Sequence, residues 1–594
     1  MSRGDYVERE VLIKTALGES PADLVIQNGK IVDVYTGEIW KADVAIKGKR
    51  IAMVGDIKHT IGTNTKVIEA RGYFLAPGLM DPHWHPESSM VTICEVAKAI
   101  VPKGITSLIV DSHEISAVMG VKGVKLLVED GKKSPLKTYI CPPIHVPQTP
   151  RIVTAGGKIG AREIWSLLHS SDIEAIAEVA PNVVLAMKPY HEVGFLAAFD
   201  SRKAISGHSA GLAGRELNAF IAAGVQDCHD AVTVDEAHER LRLGMKVLAR
   251  EGTGGRYLDK IIGVITNRKV DNRHFMLCTD DIQPDEIIEH GHLDFVVRKA
   301  IKNGVDPIVA IQMTTINPAE HFGISRDIGS ITPGRYADIL FSKNLKKFDV
   351  FRVMINGKVV ATNGMMVARF KPYKYPGWAS TTINVKGKIA PADLKIMGKQ
   401  TAGLAKARVM KIMHCMITKE IIEKLPIKDG QVMSEPSRDI LKIIVVERYR
   451  ASGRIGVALV SGFGLKMGAI ASTYCPDHHN IIAVGTSDRE ISAAANHLIN
   501  IRGGYIAVKD GQIIAKLEMP IGGIMTPEPV RTVANKLKKL NVSAEKVLGS
   551  PLSAPFMYMM PLALACLPEL RITERGLVSA KDFKVIPVVV GYPK

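Results

Sequence analysis

The sequence predicts a multidomain α/β chain. Its centre is a parallel-sheet domain, a small β domain is assembled from both flanks of it, and an α+β domain follows. Three observations carry this. Between about 77 and 325, short apolar runs such as SLIVD, VVLAM and FMLCTD end in polar residues and alternate with helical stretches such as VDEAHERLRLGMKVLAREG and PDEIIEHGHLDFVVRKAIKNG. β-Branched segments with glycine turns bracket that region on both sides. The 594 residues also exceed the roughly 250–300 at which single cores stop growing.

The elements follow in order. Residues 1–21 form a polar N-terminal segment. Residues 22–76 read as short strands, with hairpin signals at Asn28-Gly29 and Gly48, and VFRVMINGKVVATNG repeats the style later. Segments 22–76 and 326–370 are therefore expected to form one small β domain. For 77–325 both a barrel and an open sheet fit the alternation. Polar residues at successive strand ends favour the barrel, because barrel enzymes place their chemistry there. Residues 371–380, punctuated by proline and aromatics, read as a linker, and 381–594 as a separate α+β domain.

Composition excludes several classes. The chain is 46% hydrophobic and 23% charged, so it is not disordered. No apolar run reaches the roughly 18–20 residues of a membrane span, and the opening MSRGDYVEREVLIKTALGES does not read as a secretory signal. Seven scattered cysteines without a CxxC suit a reducing cytoplasm. The net charge of +17 is spread along the chain and aromatics are only 5%, which favours a solvated basic surface over a nucleic-acid groove.

The strongest local signal is LAPGLMDPHWHPESSM. His83 and His85 lie two apart on an extended segment, so both imidazoles converge. Alone, this pair is equally readable as two histidines on a wet sheet face. His208 (GHSAG), His229 (DCHDA) and Asp280 (CTDD) add three more residues just past apolar runs. Imidazole and carboxylate together suit Zn²⁺, Mn²⁺ or Fe²⁺. Such an ion lowers the pKa of bound water to about 7, and Asp280 can shuttle the proton.

These motifs, with GHSAGLAGRELNAFIAAG, NPAEHFG and GSITPGRYADIL, resemble the amidohydrolase superfamily, and more closely the bacterial and archaeal adenine deaminase family. The C-terminal GFGLKMGAIAS, DHHNIIAVGTSD and LPELRITERGL resemble that family's own C-terminal domain. The resemblance covers about 22 to 580. It implies a metal-bearing (β/α)₈ barrel, a small β-sandwich from both flanks, and a homo-oligomer acting on a small purine. By motif match it assigns metal roles to His83, His85, His208, His229 and Asp280. His113 and Glu114 join Asp280 and His229 as candidate catalytic residues. Glu87, Ser88, Asp281, His292 and Arg151 are candidates for substrate contact.

One departure bears on chemistry. The family's GLAEMMNFPG stretch carries a glutamate that bridges two metals. Counted back without gaps from Gly194, that position in VLAMKPYHEVG is Lys188. An ammonium cannot bridge two cations, whereas a lysine carbamate formed with CO₂ can. Glu192 as the ligand, or a one-metal site with Lys188 on the surface, are the other readings. Arg151 stands where the family's acidic loop is expected, and Glu447-Arg448-Tyr449 and Pro476-Asp477-His478-His479-Asn480 depart from the family's C-terminal motifs. A carbamate belongs with cyclic-amide cleavage. The expected reaction is therefore ring opening of a purine such as xanthine to a ureido-imidazole carboxylate. Adenine deamination is the alternative, and a noncatalytic nucleic-acid-binding relative is a third reading.

Overall fold

The computed structural model describes residues 3–593 apart from Met187, Cys415, Met416, Cys566 and Pro568, and their side chains except those of 3–5, 188–190 and 414. Eight parallel strands form the centre: Leu79–Trp84, Ile105–Asp111, Lys137–Cys141, Ala175–Val179, Ala204–Gly207, Asp227–Cys228, Lys246–Gly252 and Phe275–Cys278. Ladders join most neighbours. A parallel bridge Ile140–Ile173 joins the third strand to the fourth, and Gln226 N donates to Ile205 O at 2.9 Å between the fifth and sixth. The eighth returns to the first through the Trp84–Asp280 bridge, so the sheet closes into a (β/α)₈ barrel. The strands read ITSLIVD or FMLC because both faces are buried, one by the barrel interior and one by the helices.

One strand differs from expectation. VVLAM is not the end of the fourth strand, since most of it lies on helix Pro181–Ala186. Proline suits the first turn of a helix, where its missing N–H is not needed. The fourth strand is the preceding AIAEV. Lys188 is thereby displaced from a strand end to the start of helix Lys188–Ser201, and its side chain lies outside the described residues.

The flanks form one nine-stranded sheet that spans Leu24–Pro77 and Ile339–Met366. It curls so that Ile26, Val44, Phe341 and Met354, from distant strands, share a core. Asn356-Gly357 makes the expected tight turn, with φ of 52° and 72°. Asn28-Gly29 does not. Asn28 takes φ of 62° inside the continuous strand Leu24–Val32, where the register shifts as a bulge.

The barrel meets this sheet through an ion pair. Lys137, at the start of the third barrel strand, lies 2.7 Å from Asp338, and both side chains are largely buried. Removing the acid strands a buried ammonium. Asp338→Ala should lower the midpoint of urea unfolding by the equivalent of about 3–5 kcal/mol, more than Lys137→Met at the same interface.

The C-terminal domain is built on a ten-stranded, mostly antiparallel sheet. Helices Asp488–Asn500 and Val530–Val542 pack on it. No described helix is long and apolar enough to cross a membrane. The described cysteines are buried and free.

Candidate metal centre

Six of the eight barrel strands deliver a cluster residue at or just past their C-terminal ends. His83 and His85 come from the first, Asp111 from the second, and Glu178 from the fourth. His208 follows the fifth, His229 the sixth, and Asp280 the eighth. The rings of His83 and His229 stack at 4.2 Å, and His83 and His85 stand edge to face at 4.9 Å. Asp280 Oδ1 lies 3.3 Å from His85 Nε2 and 3.5 Å from His83 Nε2. The rings of His208 and His229 lie 5.4 Å apart. Of the six metal ligands expected from the sequence, the five assigned by motif match are thus brought together, while the side chain of the sixth, Lys188, lies outside the described residues.

The acid among them is Glu178. Its Oε2 lies 3.0 Å from His208 Nδ1 and 3.1 Å from His229 Nε2, and its Oε1 lies 3.7 Å from His85 Nε2. Ligand atoms fall into overlapping groups: His83, His85, Asp111 and Glu178; Glu178, His208 and His229; His83, His229 and Asp280; and His85, Asp280 and Asp281. Glu178 belongs to two of them, on opposite sides of its carboxylate. Glu178 thus lies between two histidine groups, the kind of place expected from the sequence for Lys188. The ungapped count back from Gly194 runs through two helices, so it does not reach a strand end.

The donor set fits divalent cations. His83 Nε2 and His85 Nδ1 are buried without a hydrogen-bond partner among the described residues, a costly arrangement unless a cation takes their lone pairs. Burial pushes the Glu178 carboxyl up, but hydrogen bonds from His208 and His229 hold it well below the usual range. Asp280 is likewise held low, against burial, by the Arg250 guanidinium and by His83 and His85. Asp280 takes φ of +56°, a left-handed conformation costing about 1–2 kcal/mol for a non-glycine residue, and one that functional sites often retain.

A ring of acids surrounds the cluster. Burial raises Glu87 to about 8, reinforced by Glu114. It raises Glu114, Asp281 and Asp477 to about 7 each. Glu87 Oε1 accepts Ile115 N at 3.0 Å, while its buried Oε2 has no hydrogen-bond partner among the described residues. Because the folded carboxyl holds its proton up to about pH 8, stability falls as pH rises from 4.5 through that value. In chelator-treated protein, Glu87→Gln should raise the urea midpoint at pH 8 relative to the unsubstituted chain and do so less at pH 5.

The roof comes from the C-terminal domain. Cys475 N donates to His479 Nδ1 at 3.1 Å. The ring proton therefore sits on Nε2, which donates to Glu114 Oε2. Arg448 donates to the carbonyls of His479 and Gly522, and Tyr449 Oη to that of His478 at 2.7 Å. His113 Nδ1 lies 2.9 Å from Asp111 Oδ1, with Gln148 Nε2 3.0 Å from its Nε2.

Three of the candidate substrate residues are placed as follows. The ring of His292 is fully buried against Trp84, Asp81 and Thr279. Arg151 is exposed. Ser88 Oγ is engaged with His85 O and Ile282 N, stapling the first and eighth strand ends. Sequence reasoning missed Asp111, Glu178, Asp230, Arg250, Asp477 and His479. Asp111 and Glu178 carry the same strand-end signal that picked out His229. Asp230 and Arg250 are neighbours of cluster residues, while Asp477 and His479 stand in the C-terminal motif that departs from the family's, which gives no sign that they meet the barrel.

The amidohydrolase family matches residues 74–360, and the adenine deaminase C-terminal domain matches residues 415–584. The adenine deaminase of Moorella thermoacetica is 41% identical over 98% of both chains. Adenine deaminase 3 of Rhizobium meliloti is 38% identical over 98% of both, and the adenine deaminase of Methanothrix thermoacetophila is 38% identical over 98% of this chain and 99% of its own. Among solved structures, molinate hydrolase aligns with a TM-score of 0.47 at 14% identity, over 60% of this chain and 98% of its own. Whole-length likeness to proteins named adenine deaminase overturns the expectation of a xanthine-opening cyclic amidase, whose main support was the placement of Lys188. The chain is a hydrolase of carbon–nitrogen bonds, and it belongs to the adenine deaminase family.

Proposed function

We propose that this chain hydrolyses adenine to hypoxanthine and ammonia at a pair of divalent metal ions. The observation that carries the reading is Glu178, whose two carboxylate oxygens face two histidine groups. Four histidines, Glu178 and Asp280 would hold the ions, a donor set that suits Mn²⁺, Zn²⁺ or Fe²⁺. Bound there, divalent ions supply Lewis-acid polarisation and bring the pKa of water toward 7.

The chain's own groups do the rest. Asp280, held ionised beside His83 and His85, accepts a proton from the attacking water and returns it to the departing amine. Glu87, Glu114 and Asp477, all with pKa values near neutrality, can each donate to a ring nitrogen or accept from an N–H, as the edge of a purine requires. The C-terminal roof excludes bulk water, which strengthens each of these contacts.

The test is a chelator-treated preparation reloaded with Mn²⁺, Zn²⁺ or Fe²⁺ and offered adenine or xanthine. The expected result is one ammonia and one hypoxanthine per turnover, no activity before reloading, and unchanged xanthine. Loss of purine absorbance without ammonia, or turnover that survives complete metal removal, would overturn the reading.

A further inference from the structure

A cavity of about 450 Å³ opens where the loop after the third barrel strand meets the C-terminal domain. Its rim carries Lys158 from the barrel and Arg450, Arg454 and Arg575 from the C-terminal domain. No aspartate or glutamate lines it, although the chain holds 60 acids. Among the described residues, Lys158, Arg450 and Arg454 form no ion pair, and Arg575 makes only a 3.5 Å approach to Glu574 on the neighbouring position. Cations around one concavity repel each other, a cost that Glu163 beside Lys158 and Glu574 beside Arg575 offset in part and that a bound anion would relieve further.

Two further features complete the cavity. The amino end of helix Ala161–Leu168 opens on it through Gly160 and Ala161, adding the positive end of a helix dipole, although Glu163 already takes the Gly160 amide at 2.9 Å. The inner wall is apolar, formed by Val146, Ile159 and Ile164. A cationic rim over an apolar wall, at a volume within the roughly 300–1,000 Å³ of small-molecule sites, calls for a ligand with an anionic end and a flat or apolar body. Arginine forks match phosphate oxygens better than they match a lone halide.

We propose that this cavity is a binding site for a small organic phosphate of nucleoside-monophosphate size, separate from the metal centre. Its phosphate sits among Arg450, Arg454, Arg575 and Lys158, and its ring lies on the apolar wall. The site does not depend on which base the metal centre hydrolyses, so it can fail while adenine hydrolysis stands, and the reverse.

The experiment is calorimetric titration of the metal-loaded chain with AMP, inorganic phosphate and adenosine, each in the presence of saturating hypoxanthine to block the metal centre. AMP is expected to bind saturably, at least about tenfold tighter than phosphate or adenosine. The double substitution Arg450→Ala/Arg454→Ala should weaken AMP by about tenfold or more while leaving adenine turnover within about twofold. Added salt should weaken AMP in parallel. Adenosine binding as tightly as AMP, phosphate binding as tightly as AMP, no AMP binding at all, or unchanged AMP binding in the double variant would each overturn the proposal.

Discussion

Glu178→Ala is expected to lower adenine turnover by roughly 10³-fold or more, the scale of losing a group that acts directly at the reacting centre, while Lys188→Ala leaves it within about threefold. The two substitutions separate the two candidates for the bridging position. Glu178 stands on the fourth barrel strand, with one oxygen toward His208 and His229 and the other toward His85. Truncation leaves these imidazoles without their shared anion, and metal content should fall from about two ions per chain toward one or none. Glu178→Gln tests charge against shape. It keeps the length and one acceptor but not the anion, and should recover little. A Lys188→Ala chain that loses its metal, beside a Glu178→Ala chain that keeps both metal and activity, would reverse the assignment.

The contrast between these two positions shows what a single sequence made legible. Strand-end placement by itself was readable: His83, His85, His208, His229 and Asp280 all stand where short apolar runs end, and the barrel brings them within a few ångströms. Glu178 was readable by the same rule, because AIAEV is a short, mainly apolar strand with its acid one residue from the end. An ungapped count back from Gly194 leads past it to Lys188, because that count crosses two helices. VVLAM looks like a strand because short apolar runs are ambiguous in period, and only Pro181 in front of it argues for a helix start. The flanking β domain was legible through its turns, yet Asn28-Gly29 shows that the same dipeptide serves a bulge as readily as a hairpin, since both need a left-handed residue. Ser88 and His292 belong to the right motifs but are spent on packing and strand stapling. The residues whose contacts no local pattern could supply are those from the C-terminal domain. Glu114 and His479 are 365 positions apart, and nothing short of the folded interface joins them.

That interface yields the second large effect. His479→Ala should reduce kcat/KM for adenine by roughly 10–100-fold, the usual cost of removing a partner that orients a group at a metal site, with metal content unchanged. The ring has no free choice of role. Its Nδ1 is occupied by the Cys475 amide at 3.1 Å, so Nε2 carries the proton and can only donate to Glu114. Burial and the nearby Arg448 charge both oppose a second proton, which keeps the imidazole neutral. Its backbone is fixed as firmly: φ is +50°, and Arg448 clamps the carbonyl. With the ring gone, one oxygen of buried Glu114 loses its donor and the carboxyl is free to turn away from the substrate, while the metal ligands keep their own contacts. His479→Gln retains a donor at nearly the same reach and should restore part of the loss. A general packing defect would not produce that recovery. If alanine, glutamine and histidine at this position gave the same kcat/KM, Glu114 would be positioned by the barrel alone. The C-terminal domain would then serve as a cover over the site and add no orientation to it.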